Sequence, residues 1–172
     1  MLFDRERGPM KKTSAGIVAW RRAPQDGHIE VLLGHPGSPL WARRDEGIWS
    51  IGKGQYDPAT EVAEHAARRE WAEETGFAAT GTLVPLRPVK LKSGKVVIAW
   101  AMQASIDATQ AHSNLFTLEW PPRSGRQQQF PEIDRWQWFP LDQAMVKALP
   151  GLRPLLVETA QIAAQEQHGD EN

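Results

Sequence analysis

The fold is decided by the stretch Arg69-Glu70-Trp71-Ala72-Glu73-Glu74-Thr75-Gly76-Phe77. In a helix, at about 100° per residue, its three glutamates share a face with small alanines, and each like-charged pair costs about 0.2–0.5 kcal/mol. Thr75-Gly76 indicates the C-terminus of that helix, where the helix dipole also disfavours negative charge. A multivalent cation, Mg²⁺ or Mn²⁺, would explain three carboxylates placed there, because both ions prefer oxygen ligands.

The segments around this helix predict a mixed sheet sandwiched by helices, which is an α/β (α+β) fold. Strands are expected at residues 14–20, 29–33, 48–51, 83–91, 95–103, 116–120 and 135–139. Helices are expected at residues 60–75, 141–149 and 153–165, the first one starting from Asp57-Pro58 or Thr60. Residues 123–134 are expected to form a polar loop. No internal repeat or long linker divides the chain, so one domain is predicted.

The composition and net charge exclude or disfavour several classes of function. The chain has 172 residues, a net charge of −1 and no cysteine. The absence of cysteine excludes disulfides, thiolate catalysis and zinc–sulfur sites, and the charge disfavours broad binding of nucleic-acid polymers. No apolar stretch is long enough to span a membrane, so a cytoplasmic location without membrane partners is expected. Met10 offers an alternative start, which would make residues 1–9 a dispensable tail.

Read together with the segment before it, the stretch resembles the Nudix box. That pattern has a glycine, five intervening residues, a glutamate, seven intervening residues and then Arg-Glu, a bulky apolar residue, any residue, Glu-Glu, any residue, glycine and a bulky apolar residue. Every fixed position from Glu61 to Phe77 matches, but six residues separate Gly54 from Glu61. An insertion in the loop before the helix would absorb the difference. The resemblance implies an α/β/α sandwich with a mixed sheet over residues 13–167, between tails at 1–12 and 168–172.

The resemblance also implies a Mg²⁺-dependent hydrolase of nucleoside diphosphates linked to another group. Glu70, Glu73 and Glu74 would hold the metal, with Mn²⁺ as a possible substitute. The same ions would grip the substrate phosphates and activate a water. Glu61 resembles the additional metal or supporting glutamate of the family, and the carbonyl of Lys53 matches a position that often contributes a metal ligand.

Two catalytic assignments complete this set. Arg69 is expected to orient a carboxylate through a charge-assisted hydrogen bond. One carboxylate must act as general base; Glu74 is the first choice and Glu132 the rival.

The substrate is predicted less directly. The run Trp49-Ser50-Ile51-Gly52-Lys53-Gly54 resembles the Trp-x-x-Pro-Lys-Gly entry of Nudix hydrolases that act on dinucleoside polyphosphates and diphosphoinositol phosphates, with Gly52 in place of proline. A basic rim for a polyphosphate is expected from Lys53, Arg43, Arg44, Arg123 and Arg126. A nucleoside or dinucleoside polyphosphate is the leading substrate prediction. The alternatives are ADP-ribose, nucleotide sugars or a non-catalytic nucleotide sensor, and a homodimer is possible.

Overall fold

The computed structural model describes residues 12–169, which form nine β-strands and three α-helices. The strands are β1 (Thr13–Arg22), β2 (Ile29–Pro36), β3 (Gly52–Gln55), β4 (Val84–Pro85), β5 (Val89–Lys90), β6 (Val96–Gln103), β7 (Leu115–Glu119), β8 (Gln127–Pro131) and β9 (Ile133–Pro140). The helices are α1 (Ala63–Thr75), α2 (Leu141–Lys147) and α3 (Arg153–Gly169). Three short 3₁₀ turns lie between these elements in the described part.

The central strand β1 organises a seven-stranded sheet. It pairs in parallel with β6, and antiparallel with β2 and β3. On either side, β4 and β5 pair antiparallel with β6, and β9 pairs antiparallel with β2. Parallel neighbours require a long crossover, and the chain between β1 and β6 carries α1 across one face of the sheet. The mixed sheet predicted from the sequence is confirmed.

Helices cover both faces of this sheet. Ala15, Ile17 and Ala19 of β1 pack in one buried cluster with residues of α1. Val18 and Trp20, which point the other way, belong to a second cluster with buried residues of α2 and α3. A strand buried on both faces has a continuous apolar sequence instead of an alternating one, and residues 14–20 have that sequence. The α/β/α arrangement is therefore confirmed.

A separate two-stranded sheet, β7–β8, corrects one prediction. Residues 123–134 were expected to be a polar loop, but Gln127–Pro131 form β8 and pair with β7. Phe116 lies opposite Phe130, with ring centroids 6.2 Å apart. The first residues of β8 are three glutamines without apolar alternation. Pairing with β7 decides the conformation there, since strand formation depends strongly on cross-strand partners.

The prediction of a strand at residues 48–51 is also wrong. The strand lies four residues later, at Gly52–Gln55, where it pairs with residues 14–17 of β1. Trp49 and Ser50 make only single bridges, to Ala148 and Gly34 respectively. Glycine and lysine have low strand propensity, so the short β3 exists because β1 offers it a partner edge.

The start of α1 differs from the prediction, whereas its end agrees. The helix begins at Ala63, and Val62 at the cap position provides no side-chain hydrogen bond. Asp57 instead accepts the N–H of Ala59 within the preceding turn, so it does not cap the helix. At the other end Gly76 adopts a φ of 77°, the left-handed conformation that glycine favours at helix ends.

Some expectations fall on residues that the structure does not describe. Residues 1–11 and 170–172 lie outside the described range, and so do the alternative start at Met10 and most of both predicted tails. Within residues 12–169, no helix is long and apolar enough to cross a membrane.

Candidate active site

Strand β3 and helix α1 position two of the three glutamates together. The backbone N–H of Lys53 donates to Oε2 of Glu74 over 3.1 Å. One residue later, a Cβ on Gly54 would overlap the carboxylate of Glu70. The absence of a side chain at Gly54 therefore gives Glu70 its place beside the strand. These two contacts hold the acidic face of α1 against the edge of the sheet.

Arg69 donates hydrogen bonds to three carboxylates around the acidic face of α1. Its guanidinium forms a two-pronged pair with Glu61, at 2.9 Å from Nε and 2.8 Å from Nη2. Nη1 donates to Glu70 at 2.7 Å and to Glu73 at 3.3 Å. Hydrogen bonding from Arg69 lowers the pKa of Glu61, and bonding to Glu61 in turn raises the pKa of Arg69. One guanidinium thus relieves the repulsion among three neighbouring carboxylates.

One cleft of about 440 Å³ is lined by the carboxylates of Glu70, Glu73, Glu74 and Glu132, whereas Glu61 is not among its lining residues. Its wall consists of Lys53, Gly54, Gln55, Glu70, Glu73, Glu74, Asn114 and Glu132. Asn114 and Glu132 come from the base of the β7–β8 hairpin. The N–H of Asn114 donates to the Glu73 carbonyl at 3.1 Å, and the N–H of Glu132 donates to the Asn114 carbonyl at 2.9 Å. The hairpin base is therefore attached to the last turn of α1, which brings Glu132 to the cleft.

Burial gives this cleft unusual electrostatics. Desolvation raises the pKa of Glu74 to about 8, against the opposing hydrogen bond from Lys53, and it also raises the pKa of Glu70. The pKa of the Lys53 ammonium is lowered, again mainly by burial. All three shifts reflect the cost of removing charged groups from water. Binding of a cation in the cleft would therefore stabilise the buried carboxylates in their ionised form.

The donor set of this cleft suits a hard divalent cation. In the described part of the chain, no three acidic or histidine side chains converge on one point as ligands of an ion. Arg69 explains this, because Glu61, Glu70 and Glu73 all point to its guanidinium. Mg²⁺ keeps several of its waters and needs only one or two carboxylates together with substrate phosphates. The carboxylates of Glu70, Glu73 and Glu74 on one wall satisfy that requirement.

Sequence comparison identifies the family. The family model described as NUDIX domain matches residues 10–158. The chain belongs to the NUDIX domain family. This confirms the resemblance drawn from the motif and, with it, an enzyme of the Nudix pyrophosphohydrolase class. No curated protein matches the chain.

Solved structures show the same Nudix fold. A Caenorhabditis elegans Ap4A hydrolase in a binary complex is 22% identical, with a TM-score of 0.63 over 88% of this chain and 98% of that one. The NUDIX domain of Shewanella oneidensis NrtR, complexed with ADP ribose, is 17% identical, with a TM-score of 0.63 over 94% of each chain. A mutT/nudix family protein from Listeria innocua is 18% identical, with a TM-score of 0.60 over 94% of this chain and 98% of that one. At these identities the likeness concerns the fold.

The predicted substrate arginines do not line the cleft of this Nudix domain. Arg43 and Arg44 lie in the exposed segment after β2, where the Arg44 guanidinium stacks 5.2 Å from the Trp41 ring centroid. Arg123 and Arg126 lie at the exposed tip of the β7–β8 hairpin, and Arg123 has a φ of 62°. Of the expected basic rim, only Lys53 borders the cleft. A substrate role for the four arginines stays a prediction.

Two residues of the cleft were not predicted from the sequence. Gln55 ends β3, and Asn114 immediately precedes β7. The position of Gln55, one residue after Gly54, could have revealed it. Asn114 had no such signal, because it reaches the Nudix helix only through the backbone hydrogen bond to Glu73.

Proposed function

We propose that this Nudix domain hydrolyses a phosphoanhydride bond in a nucleoside diphosphate linked to another moiety, with Mg²⁺ as cofactor. The observation that carries the proposal is the convergence of Glu70, Glu73, Glu74 and Glu132 on one cleft beside β3. A cleft this acidic would repel a phosphate chain unless cations came with it. Nucleoside and dinucleoside polyphosphates are the leading substrates.

The protein side chains have distinct roles in this proposal. Glu70, Glu73 and Glu74, with Glu61 and the Lys53 carbonyl as further ligands, would hold Mg²⁺ or Mn²⁺. The bound ion supplies charge neutralisation of the phosphates and a more acidic water. Arg69 aligns the glutamates from beside them, through its bonds to Glu61, Glu70 and Glu73. This alignment matters because small displacements of ligands reduce rates strongly.

Glu74 is the proposed general base. Its Oε2 is held by the Lys53 N–H, and Oε1 makes no hydrogen bond with any of the described residues. That oxygen is therefore available to accept a proton from water. Glu132 is the rival, because it lies on the same cleft and is exposed. Glu74 is preferred over Glu132 because its carboxylate is held in a fixed position, and the geometry of a candidate base is judged before its pKa.

ADP-ribose is the second candidate substrate, with nucleotide sugars in the same class. The similar Nudix domain of NrtR is complexed with ADP ribose, whereas another similar structure is an Ap4A hydrolase. Both ligands contain a nucleoside diphosphate unit, so the acidic cleft by itself does not distinguish between the two substrates.

A substrate panel tests the proposal. Purified protein would be incubated with Mg²⁺ and nucleoside triphosphates including oxidised forms, dinucleoside polyphosphates, ADP-ribose, nicotinamide dinucleotides and nucleotide sugars, followed by product analysis. We expect metal-dependent cleavage, and a loss of about 100-fold or more in kcat for Glu74→Gln and for Glu73→Gln. Glu64→Gln is the matched control, because Glu64 pairs with Arg68 elsewhere on α1. Unchanged turnover in both site variants would refute the assigned roles.

A further inference from the structure

The β7–β8 hairpin has one sheet edge without a partner strand. Among residues 12–169, β8 pairs only with β7, and its residues Gln127, Gln128 and Gln129 are all exposed. A two-stranded sheet is at best marginally stable by itself in water. Natural edge strands are usually protected from further pairing by charged side chains or proline, and these three positions have neither. The open edge of β8 is therefore a surface to which another strand can add.

The hydrogen bonds of the hairpin identify the backbone groups that this edge presents. At one end the carbonyl of Arg126 accepts a hydrogen bond from the opposite strand, and at the other end the N–H of Glu132 donates one, each over 2.9 Å. Bonded and non-bonded residue pairs alternate along an antiparallel ladder. Gln127 and Gln129 are thus in non-bonded pairs, so their N–H and C=O groups point away from β7.

The end of this edge near the acidic cleft is already closed. Pro131 has no N–H, and a Cβ on Gly37 would overlap its carbonyl oxygen. The open part therefore consists of Gln127 and Gln129. A two-fold axis at Gln128 would pair Gln127 of each copy with the partner's Gln129, and each pair would exchange both of its N–H···O bonds. A second copy of β8 therefore satisfies every backbone group that the open part presents.

The same two-fold pairing brings opposite charges together at both ends. Arg126 would lie opposite the partner's Phe130, on the same face of the sheet. The partner's Glu132 is then the diagonal neighbour of Arg126, within reach of a long side chain. On the free edge of β7, a two-fold axis at the centre would place Glu119 opposite the partner's Leu115, which matches no charges. Charge complementarity therefore favours a second copy of this chain joined through β8.

This arrangement would supply the positive charge that the acidic cleft lacks. Glu132 lines the cleft, and Lys53 is the basic residue among its lining residues. Within one chain, the six residues from Arg126 to Glu132 span about 20 Å of extended strand, which explains why Arg126 does not line its own cleft. In the pair, the guanidinium of Arg126 would instead reach the mouth of the partner's cleft, where it can bind phosphate oxygens.

We propose that two copies of this chain pair through β8, and that Arg126 of each copy binds the substrate phosphates in the cleft of the other. The pairing is independent of the proposed function, whereas the role of Arg126 rests on it. The resulting four-stranded sheet exceeds the two strands that are marginal in water. Substrate binding then depends on association of the two copies.

Analytical ultracentrifugation of the full chain tests the pairing. Gln129→Pro removes an outward N–H from β8 and no hydrogen bond from the hairpin, and proline is tolerated at such edges. Thr117→Pro is the matched control, because Thr117 lies directly opposite Gln129 and its N–H points from the other edge. We expect dimers of the wild type and of Thr117→Pro, with a Kd about tenfold higher or more for Gln129→Pro. A wild type that is monomeric at about 1 mM, or equal Kd values for both variants, would overturn the proposal.

A charge exchange tests the register of the pairing. Arg126→Glu would place two carboxylates side by side in the dimer and should raise its Kd about tenfold or more. Adding Glu132→Arg should restore the Kd to within about threefold of the wild type, because the ion pair is formed again with reversed signs. Arg87→Glu, at an exposed arginine between β4 and β5, is the charge-matched control. A double variant that associates no better than Arg126→Glu would contradict the register.

Mixed dimers test the role of Arg126. Glu74→Gln lacks the proposed base but keeps Arg126, and Arg126→Ala keeps the base but supplies no arginine. Arg126→Ala alone should have a KM raised about tenfold, the effect of losing one charged hydrogen bond. After equal amounts are mixed, about half of the dimers contain one of each variant and one complete site, so about one quarter of the wild-type kcat/KM should return. Glu74→Gln combined with Gln129→Pro is the control partner, and mixing it with Arg126→Ala should give no gain.

The outcomes separate this proposal from the proposed function. If no substrate is cleaved, the sedimentation of the proline and charge variants still decides whether β8 pairs. If substrate is cleaved and the dimer forms through β8, but mixing gives no gain over the control, the role of Arg126 in the partner's cleft is refuted. Circular dichroism checks that each variant is folded. Should Gln129→Pro unfold, the charge exchange between positions 126 and 132 decides the pairing.

Discussion

Gly54 and Glu70 show how one missing side chain shapes the site. The position that a Cβ would take on Gly54 is filled by the Glu70 carboxylate. The obstacle is the end of a flexible side chain and not backbone, so a larger residue would displace the carboxylate without disrupting the strand. The glycine of the motif is therefore required by the site more than by the fold.

Gly54→Ala tests this. We expect Mg²⁺ affinity and kcat to fall at least tenfold, because Glu70 must leave its place, while the free energy of unfolding changes by less than about 1 kcal/mol. Calorimetric titration of Mg²⁺ and chemical denaturation measure the two effects. Gly52→Ala is the control on the same strand: its Cβ would meet the Trp71 ring at 3.3 Å and no carboxylate. Equal loss of Mg²⁺ affinity in both variants would contradict the explanation.

The raised pKa of Glu74 has a consequence for stability. In the folded, metal-free protein burial raises this pKa from 4.5 to about 8, so the folded state binds the proton more tightly than the unfolded chain. The stabilising contribution is complete below pH 4.5 and is lost as the pH rises towards 8. At 1.36 kcal/mol per pKa unit, it is at most about 5 kcal/mol.

Thermal unfolding in a chelator between pH 5.5 and 8.5 measures this contribution. We expect the wild-type melting temperature to fall as the pH rises, and Glu74→Gln to remove most of the slope, leaving the smaller part from Glu70, whose pKa is also raised by burial. Mg²⁺ should flatten the wild-type curve, because a cation replaces the proton. Glu64→Gln is the control and should keep the slope. A slope that survives Glu74→Gln in full would exclude Glu74 as its source.

At the scale of elements, the close approach of β1 and β3 sets the position of Lys53. A Cβ on Gly16 would lie 2.6 Å from the Cβ of Lys53 and 2.8 Å from the carbonyl oxygen of Gly52. These atoms belong to or adjoin the backbone of β3, so they cannot move without the strand. The hydrogen bond from Lys53 to Glu74 therefore depends on the width of the β1–β3 contact.

Gly16→Ala should widen that contact. We expect the free energy of unfolding to fall by about 1–3 kcal/mol, the usual cost of overpacking, and kcat to fall because Glu74 loses its partner. Urea denaturation and steady-state kinetics provide the two readouts. Ser14→Ala, two residues earlier on the same strand, keeps the spacing and should retain activity. If Gly16→Ala kept the wild-type free energy of unfolding, β3 would have moved to accommodate the methyl group without loss of stability.

The elements also show what the sequence could reveal. The strong apolar run of β1 and the helix end at Thr75-Gly76 were predicted because local chemistry decides both. The first residues of β8 and the position of β3 were missed because their strand state comes from a partner that is distant in sequence. At the site, the box motif located the glutamates and Arg69. The position of Asn114 at the cleft depends on tertiary packing, which no spacing records.

At the scale of the whole molecule, the sheet separates two cores. The cluster containing α1 lies on the side of the acidic cleft, and the cluster containing α2 and α3 lies on the other side. Leu155 and Leu156 are fully buried in the second cluster. Stability and catalysis are thus partly separable in space. A homodimer stays a prediction.

Leu155→Ala tests the separation. We expect a loss of about 2–5 kcal/mol of unfolding free energy from the cavity that forms, together with Mg²⁺ affinity and KM within about twofold of the wild type at a temperature where the variant is folded. Val157→Ala is the control on the same helix, because Val157 is 39% exposed. A large change of Mg²⁺ affinity in Leu155→Ala would mean that the sheet transmits strain from one core to the other.

The parallel pairing of β1 with β6 has a consequence for synthesis of the chain. β1 emerges from the ribosome before its neighbour at Val96–Gln103, which follows only after β2, β3 and α1. Until then one side of a very apolar strand lacks its partner, and such edges invite association between nascent chains. Ribosome-bound fragments that stop before residue 96 should therefore recruit chaperones, and fragments that include residue 103 outside the exit tunnel should release them.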